Sequence, residues 1–405
     1  MRKKSITLGI IHTSLGELQW IVPHFYEINR RDKDQKFVII FLSKEVYTKA
    51  IQEHIHLSIF LEFGTIIQKS RLLSFLFSHR TEIGAIYKDF WPINRNSLAA
   101  AVRFCCPNAT FYLYPHANAI YSLNQPKNSA TAVVQGKHDT RCFDFLLLNT
   151  EYDVHYWRQR VPIAKISVIG SPAYRSSWLN GLARESEDEL NIIRDKAIGK
   201  KIILVFTRPG DGDFLDPHDY ENLIRSMVEV LSARKDIFVV FKLHPREDKT
   251  FLSMLLEDLG FGNFCISALS PISLCSIGYL SINFWSSTIT DSIAAGCPSI
   301  EFFKYHSRGN DKWFIDSKGE YGSFYSQLGL CLKATDKNEL EDQVDYLLHS
   351  RSEVLQLQQE NLTNVFRLNA EELTNVPMKN SEEKIGSSIR DWLKVAGSSI
   401  KSVLN

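Results

Sequence analysis

The sequence predicts an α/β protein made of two successive domains, each a parallel sheet covered by helices. Three observations predict it. Short, continuously apolar runs recur between helical patterns, which is how strands read when both of their faces are covered. A charged helical stretch, "ARESEDELNIIRDKAIGKK", breaks the series near residue 180, and the series then restarts. The length of 405 residues exceeds one ordinary core and suits two.

In the first half the strand candidates are "ITLGIIH", "KFVIIFL", "TFYLYPH", "FDFLLLNT" and "KISVIGSP". The second half reads as strand "KIILVFT", helix "DYENLIRSMVEVLSARK", strand "FVVFKL" and helix "FLSMLLEDLG". Strand "GYLSINF", helix "TITDSIAAG" and strand "PSIEFF" follow. No dinucleotide GxGxxG and no internal repeat is present. The expectation is two Rossmann-like domains facing a cleft, residues 1–180 and 181–370, with a helical extension over 371–405.

Past residue 337, "KNELEDQVDYLLHSRSEVLQLQQENLTNVF" predicts a long charged helix or a helix pair. The last stretch sets Ile385, Ile389, Trp392, Leu393, Ala396, Ile400, Val403 and Leu404 at helical spacing beside lysines and Arg390. It reads either as an interfacial helix on a membrane surface or as a helix packed on the domains. Gly386, Gly397 and the serines weaken the first reading.

Composition is that of a globular protein, 44% hydrophobic and 23% charged, and a net charge of +1 gives no bulk attraction to nucleic acid. Seven cysteines without CxxC or zinc spacing point to reduced thiols in the cytoplasm. The basic-then-apolar start, "MRKKSITLGII", lacks a small-residue cleavage site and reads as a first strand. No run approaches the roughly 20 apolar residues of a spanning helix. The expected location is the cytoplasm, with the inner face of the cytoplasmic membrane as an alternative.

Three segments end in polar groups at the carboxyl ends of predicted strands. They are "VFTRPGDGDF" with Thr207, Arg208, Asp211 and Asp213, "KLHP" with Lys242, His244 and Pro245, and "NFWSSTITDSIAAGCP" with Ser286, Ser287 and Thr288. If these strands are parallel neighbours, their ends line one rim, where open α/β sheets bind ligands. Hydroxyl residues opening a helix then make a phosphate site, with His244 as a further donor and Asp211 as a carboxylate for the chemistry. Each piece alone has a plainer reading: an N-cap for the serines, a turn for "DGD", a structural histidine at a strand end. Asp213 and Asp216 compete with Asp211 as the important acid.

In order and spacing these residues resemble glycosyltransferases of the GT-B fold that use CMP-activated sugars, among them bacterial sialyl- and polysialyltransferases. "KLHP" followed by "SSTITDSIAAGCPSIEFF" also looks like the teichoic-acid glycerophosphotransferases, which use CDP-glycerol. The resemblance is strongest to the retaining β-Kdo transferases of bacterial surface polysaccharides, and extends to "YPHANAI" and "VIGSPAYRSSW" in the first half. It implies that His244, Ser286 and Ser287 hold the CMP phosphate and that Asp211, 33 positions before His244, is the catalytic carboxylate. Two departures stand out: an acidic pair written Asp-Gly-Asp, and Pro-His-Ala-Asn where Pro-His-Gly is usual, at His116 and Asn118.

Kdo is an acidic sugar, so Arg208 and Arg246 are candidates to hold its carboxylate. Glu301 is a candidate acceptor for ribose hydroxyls, and His12, Thr13, Ser14, His116 and Asn118 are candidates for the acceptor side. The implied partners are a nucleotide-sugar donor and a lipid-linked glycan acceptor, in lipopolysaccharide O-antigen or capsule. The chain would act alone or as one module of a larger synthase. No cofactor or metal is expected, although "DGD" also matches the DxD metal motif of another glycosyltransferase fold. Two rivals stand beside this reading: a GT-B-shaped sugar-nucleotide epimerase, and a saccharide-binding module without catalysis.

Overall fold

A computed structural model of the chain describes residues 5–12, 14–53, 55–89, 102–115, 143–158, 161–210, 215–244, 246–305, 314–315 and 321–368. Two compact units emerge. One takes the described residues up to Trp178 and again from Phe366, and the other runs from Leu179 to Val365. The extension expected over 371–405 lies outside the described residues.

In the first unit the order is β1 (Ile6–Ile11), α1 (Gly16–Arg31), β2 (Lys36–Phe41), α2 (Lys44–Glu53), α3 (Ile55–Leu61) and β3 (Gly64–Gln68). It continues with α4 (Leu72–His79), β4 (Ile83–Asp89), β5 (Thr110–Tyr114), β6 (Phe145–Leu148), α5 (Tyr152–Trp157) and β7 (Ile166–Val168). The seven strands form one parallel sheet in the order β3-β2-β1-β4-β5-β6-β7. All six residues of β1 are buried, as a strand with both faces covered requires. Leu8, Ile10, Val38, Ile40, Leu113, Leu146 and Leu148 join one apolar cluster. Each such side chain stabilises the fold by roughly 1.5–3 kcal/mol relative to exposure.

Helix α6 (Ser176–Glu185) carries the chain across the division at Trp178. The second unit then runs α7 (Glu187–Lys196), β8 (Lys201–Phe206), α8 (Pro217–Ser232), β9 (Ile237–Lys242), α9 (Lys249–Asp258), β10 (Phe264–Ile266), α10 (Pro271–Cys275) and β11 (Leu280–Asn283). Next come α11 (Thr288–Ala294), β12 (Ser299–Phe302), the antiparallel pair β13 (Phe314–Ile315) and β14 (Tyr321–Gly322), α12 (Phe324–Gln327) and β15 (Leu332–Ala334). The last described element, α13 (Lys337–Phe366), is two helices joined at Ser350, whose φ of −115° and ψ of 28° are not helical. Six parallel strands take the order β10-β9-β8-β11-β12-β15.

Several strands lack the apolar run that would betray them. β4 ends in Lys88 and Asp89, both buried, so charge interrupts its pattern. β10 and β15 are three residues long and mostly half-buried. Among the described residues, no helix is long and apolar enough to cross a membrane.

Candidate active site

In the second sheet the chain lays β9 and β10 to one side of β8 and then returns to place β11 on the other. That reversal makes the β8/β11 boundary a topological switch point, where ligands bind outside the carboxyl ends of the strands. The register aligns Phe206 with Lys242 and with Asn283 on one rung. Arg208, His244 and Trp285 each stand two residues past it. The three strand ends picked out from the sequence are therefore neighbours on one edge.

Their side chains interlock. Arg208 donates from Nη1 to the Trp285 carbonyl at 3.0 Å, and its guanidinium lies 4.4 Å from the centre of the Trp285 ring. Trp285 adopts φ of 49°, a left-handed conformation that a bulky residue rarely holds without support. Thr207 donates its hydroxyl to Glu247 Oε2 at 2.7 Å, and the same oxygen accepts the His244 N–H at 2.5 Å. The Arg246 N–H donates to His244 Nδ1 at 3.2 Å, so the neutral imidazole carries its proton on Nε2. That proton suits a phosphate oxygen.

The serine pair is arranged differently from a simple cap. Ser287 sits at the N-cap position of α11, but its exposed side chain makes no capping bond. Ser286 Oγ instead accepts the Thr288 N–H at 3.3 Å, and the Thr288 hydroxyl donates to Asn283 Oδ1 at 2.6 Å. Asn283 is fully buried, and its amide donates to Ser281 and Ser299. Asn283 thereby fixes the turn that carries both serines.

Two expected donor-site residues face other work. Lys242 donates its ammonium to the Ala268 carbonyl at 3.0 Å, pinning the chain after β10. Glu301 has no exposed surface, so it presents no carboxylate to the rim. Its Oε2 accepts from Tyr305 at 2.5 Å and Ser323 at 2.6 Å, while Oε1 is buried with no partner among the described residues. Burial drives this carboxyl up to about 7, against the two hydrogen bonds that lower it. The Arg246 side chain is exposed. Asp211, Asp213 and Pro245 lie outside the described residues.

The first sheet has its own switch point, between β1 and β4. His12 follows β1 there. Its N–H and that of Ser14 both donate to the Glu17 carboxylate, at 2.9 and 3.1 Å, and the Ser14 hydroxyl accepts the Gly16 N–H at 3.2 Å. His12 Nδ1 is buried with no partner among the described residues, and burial with the nearby Lys88 ammonium lowers the ring's pKa. Thr13, His116 and Asn118 lie outside the described residues. Glu247, Trp285 and Asn283 escaped sequence reasoning. The one signal for Glu247 was its spacing, an acid three residues after a histidine at a strand end.

No family model matches the chain, and no curated protein matches it. Solved structures do. The UDP-GlcNAc 2-epimerase from Neisseria meningitidis, bound to UDP-GlcNAc, superposes with a TM-score of 0.61 at 12% identity, over 90% of this chain and 97% of that one. The fold is GT-B. The wall teichoic acid polymerase TagF matches with a TM-score of 0.53 at 14% identity, over 100% of this chain and 90% of that one. A glycosyltransferase from Rickettsia africae ESF-5 matches with a TM-score of 0.51 at 13% identity, over 97% and 98%. At these identities the likeness is one of fold. Each unit of the chain is one Rossmann-like half of GT-B, and the β8/β9/β11 edge belongs to the second half.

Proposed function

We propose that the protein is a glycosyltransferase that takes Kdo from CMP-β-Kdo and passes it to a surface-polysaccharide acceptor with retention of configuration. The observation that carries this reading is the alignment of Arg208, His244 and Trp285 two residues past one rung, with Ser286 and Ser287 directly after. The motif residues that resemble CMP-sugar transferases thus share one sheet edge. A CMP-sugar has a single phosphate charge, which the His244 Nε2–H and the serine hydroxyls suffice to meet.

Retention by two inversions requires a group on the enzyme to attack the anomeric carbon. In this reading the Asp211 carboxylate forms a bond to that carbon as the bond to the phosphate oxygen breaks, and CMP leaves with the electron pair. The acceptor hydroxyl then attacks the same carbon, passes its proton to solvent water, and Asp211 departs as carboxylate. Asp211→Asn is expected to abolish transfer while CMP binding survives. Wild type trapped with donor is expected to yield a Kdo ester that peptide mapping places on Asp211; an adduct elsewhere would overturn the assignment.

A donor screen read by nucleotide release tests the reading as a whole. Release of CMP from CMP-Kdo in the presence of acceptor is the expected result. Interconversion of UDP-GlcNAc without acceptor would replace it with an epimerase, and glycerol phosphate transfer from CDP-glycerol with the teichoic-acid type. No turnover of any donor, with saccharide binding retained, would leave a binding module.

A further inference from the structure

We infer that Glu247 is the positioning residue of the donor edge, a carboxylate that holds the β8 and β9 ends in register and aims His244 at the donor phosphate. The inference rests on reading that edge as a phosphate site, and it assigns a role to a residue outside the sequence motifs.

Four hydrogen bonds carry it. Glu247 Oε2 accepts from the Thr207 hydroxyl and from the His244 N–H. The Glu247 N–H donates to the His244 carbonyl at 2.9 Å, so the four-residue turn is closed from both ends. Within that closed turn the Arg246 N–H reaches His244 Nδ1. The ring is thus oriented by the turn, and the turn by the carboxylate. A second consequence concerns Thr207. Its proton is committed to Glu247, so toward a ligand the hydroxyl offers only lone pairs and does not donate to phosphate. Carboxylate acceptors of this kind are roughly twice as strong as neutral ones, which suits a clamp between segments 40 residues apart in the chain. Burial raises the pKa of the Glu247 carboxyl, while Thr207, the His244 N–H and Tyr220 each lower it.

The full-length chain, labelled with ¹⁵N-histidine, provides the test in four forms: wild type, Glu247→Ala, Glu247→Gln and Thr207→Val. The ring nitrogen shifts of His244 report its tautomer without any substrate. Wild type is expected to hold the proton on Nε2. Glu247→Ala is expected to lose that preference and to bind CMP at least tenfold more weakly by calorimetry. Glu247→Gln keeps an oxygen that accepts both bonds, so it should recover the tautomer and most of the CMP affinity. Thr207→Val removes one bond of the pair and should show a smaller loss. An unchanged tautomer and unchanged CMP affinity in Glu247→Ala would overturn the inference, as would a Gln variant as damaged as the Ala variant. If Glu247→Ala does not fold, Glu247→Asp, with the carboxylate drawn back by one methylene, takes its place under the same criteria. Failure of wild type to bind CMP would remove the phosphate-site reading, and the tautomer measurement would still decide the role of Glu247.

Discussion

In the proposed site His244 would donate to phosphate through Nε2, because a backbone N–H two residues on occupies Nδ1. Removing the ring removes one charge-assisted hydrogen bond, worth about 1.5–3 kcal/mol. His244→Ala is therefore expected to reduce kcat/KM for the CMP-linked donor more than tenfold at an unchanged melting temperature; unaltered donor kinetics would remove His244 from the site. Glu301 makes a different prediction, about stability. Its carboxyl is raised from 4.5 to about 7 by burial, so the folded state keeps a proton that the unfolded state releases. Between these two values folding is therefore favoured by low pH, and this contribution is lost as pH rises, by an order of magnitude of about 3 kcal/mol. Buried His24 acts in the opposite sense: its pKa falls from 6.5 to about 3, so its contribution weakens as pH drops through that window. Comparing Glu301→Gln with wild type cancels the His24 effect. The variant should gain stability relative to wild type between pH 5 and pH 8 in urea unfolding. Parallel profiles would show that Glu301 does not titrate in this range.

At the scale of elements, the end of α11 shows what a short motif can and cannot announce. "AAGCP" reads as a helix stop, and the structure ends α11 with Gly296 at φ of 85°. The Gly296 N–H donates to the Ile293 carbonyl and the Cys297 N–H to the Ser292 carbonyl, the two bonds of a Schellman motif. A Cβ there would meet open space, so Gly296→Ala should cost only the left-handed strain, about 1–2 kcal/mol. Gly170, at φ of 76°, differs. Its Cβ would fall 2.4 Å from the Phe366 carbonyl oxygen, so Gly170→Ala adds a backbone clash to the same strain. Thermal unfolding should rank Gly170→Ala clearly below Gly296→Ala, and equal losses would contradict this geometry. The buried strands β2, β8 and β9 were legible because both faces are covered and apolar residues run on with little interruption. β1 and β11 are as fully buried, although Thr7 interrupts one and Ser281 and Asn283 alternate with Leu280 and Ile282 in the other. β4 was not legible. Its buried Lys88, whose pKa burial lowers, and Asp89 interrupt the run at the switch point of the first sheet.

For the molecule as a whole, a donor with one phosphate charge needs no divalent ion if His244 and the serines meet it. Full activity is expected after exhaustive chelation, whereas a loss restored by manganese would return "DGD" to the role of a metal motif. The α/β class, the restart of the pattern near residue 180 and the three polar strand ends are all readable along the chain. Periodicity and burial are local properties, and they are written along the chain. Which ends are neighbours emerges only on folding, because strand order and register depend on pairings between segments tens of residues apart. Those pairings place Trp285 over Arg208 and tie Glu247 to Thr207, contacts that no local pattern encodes. They also bury Glu301 and turn Lys242 toward Ala268, since each strand residue takes its surroundings from the strands that flank it.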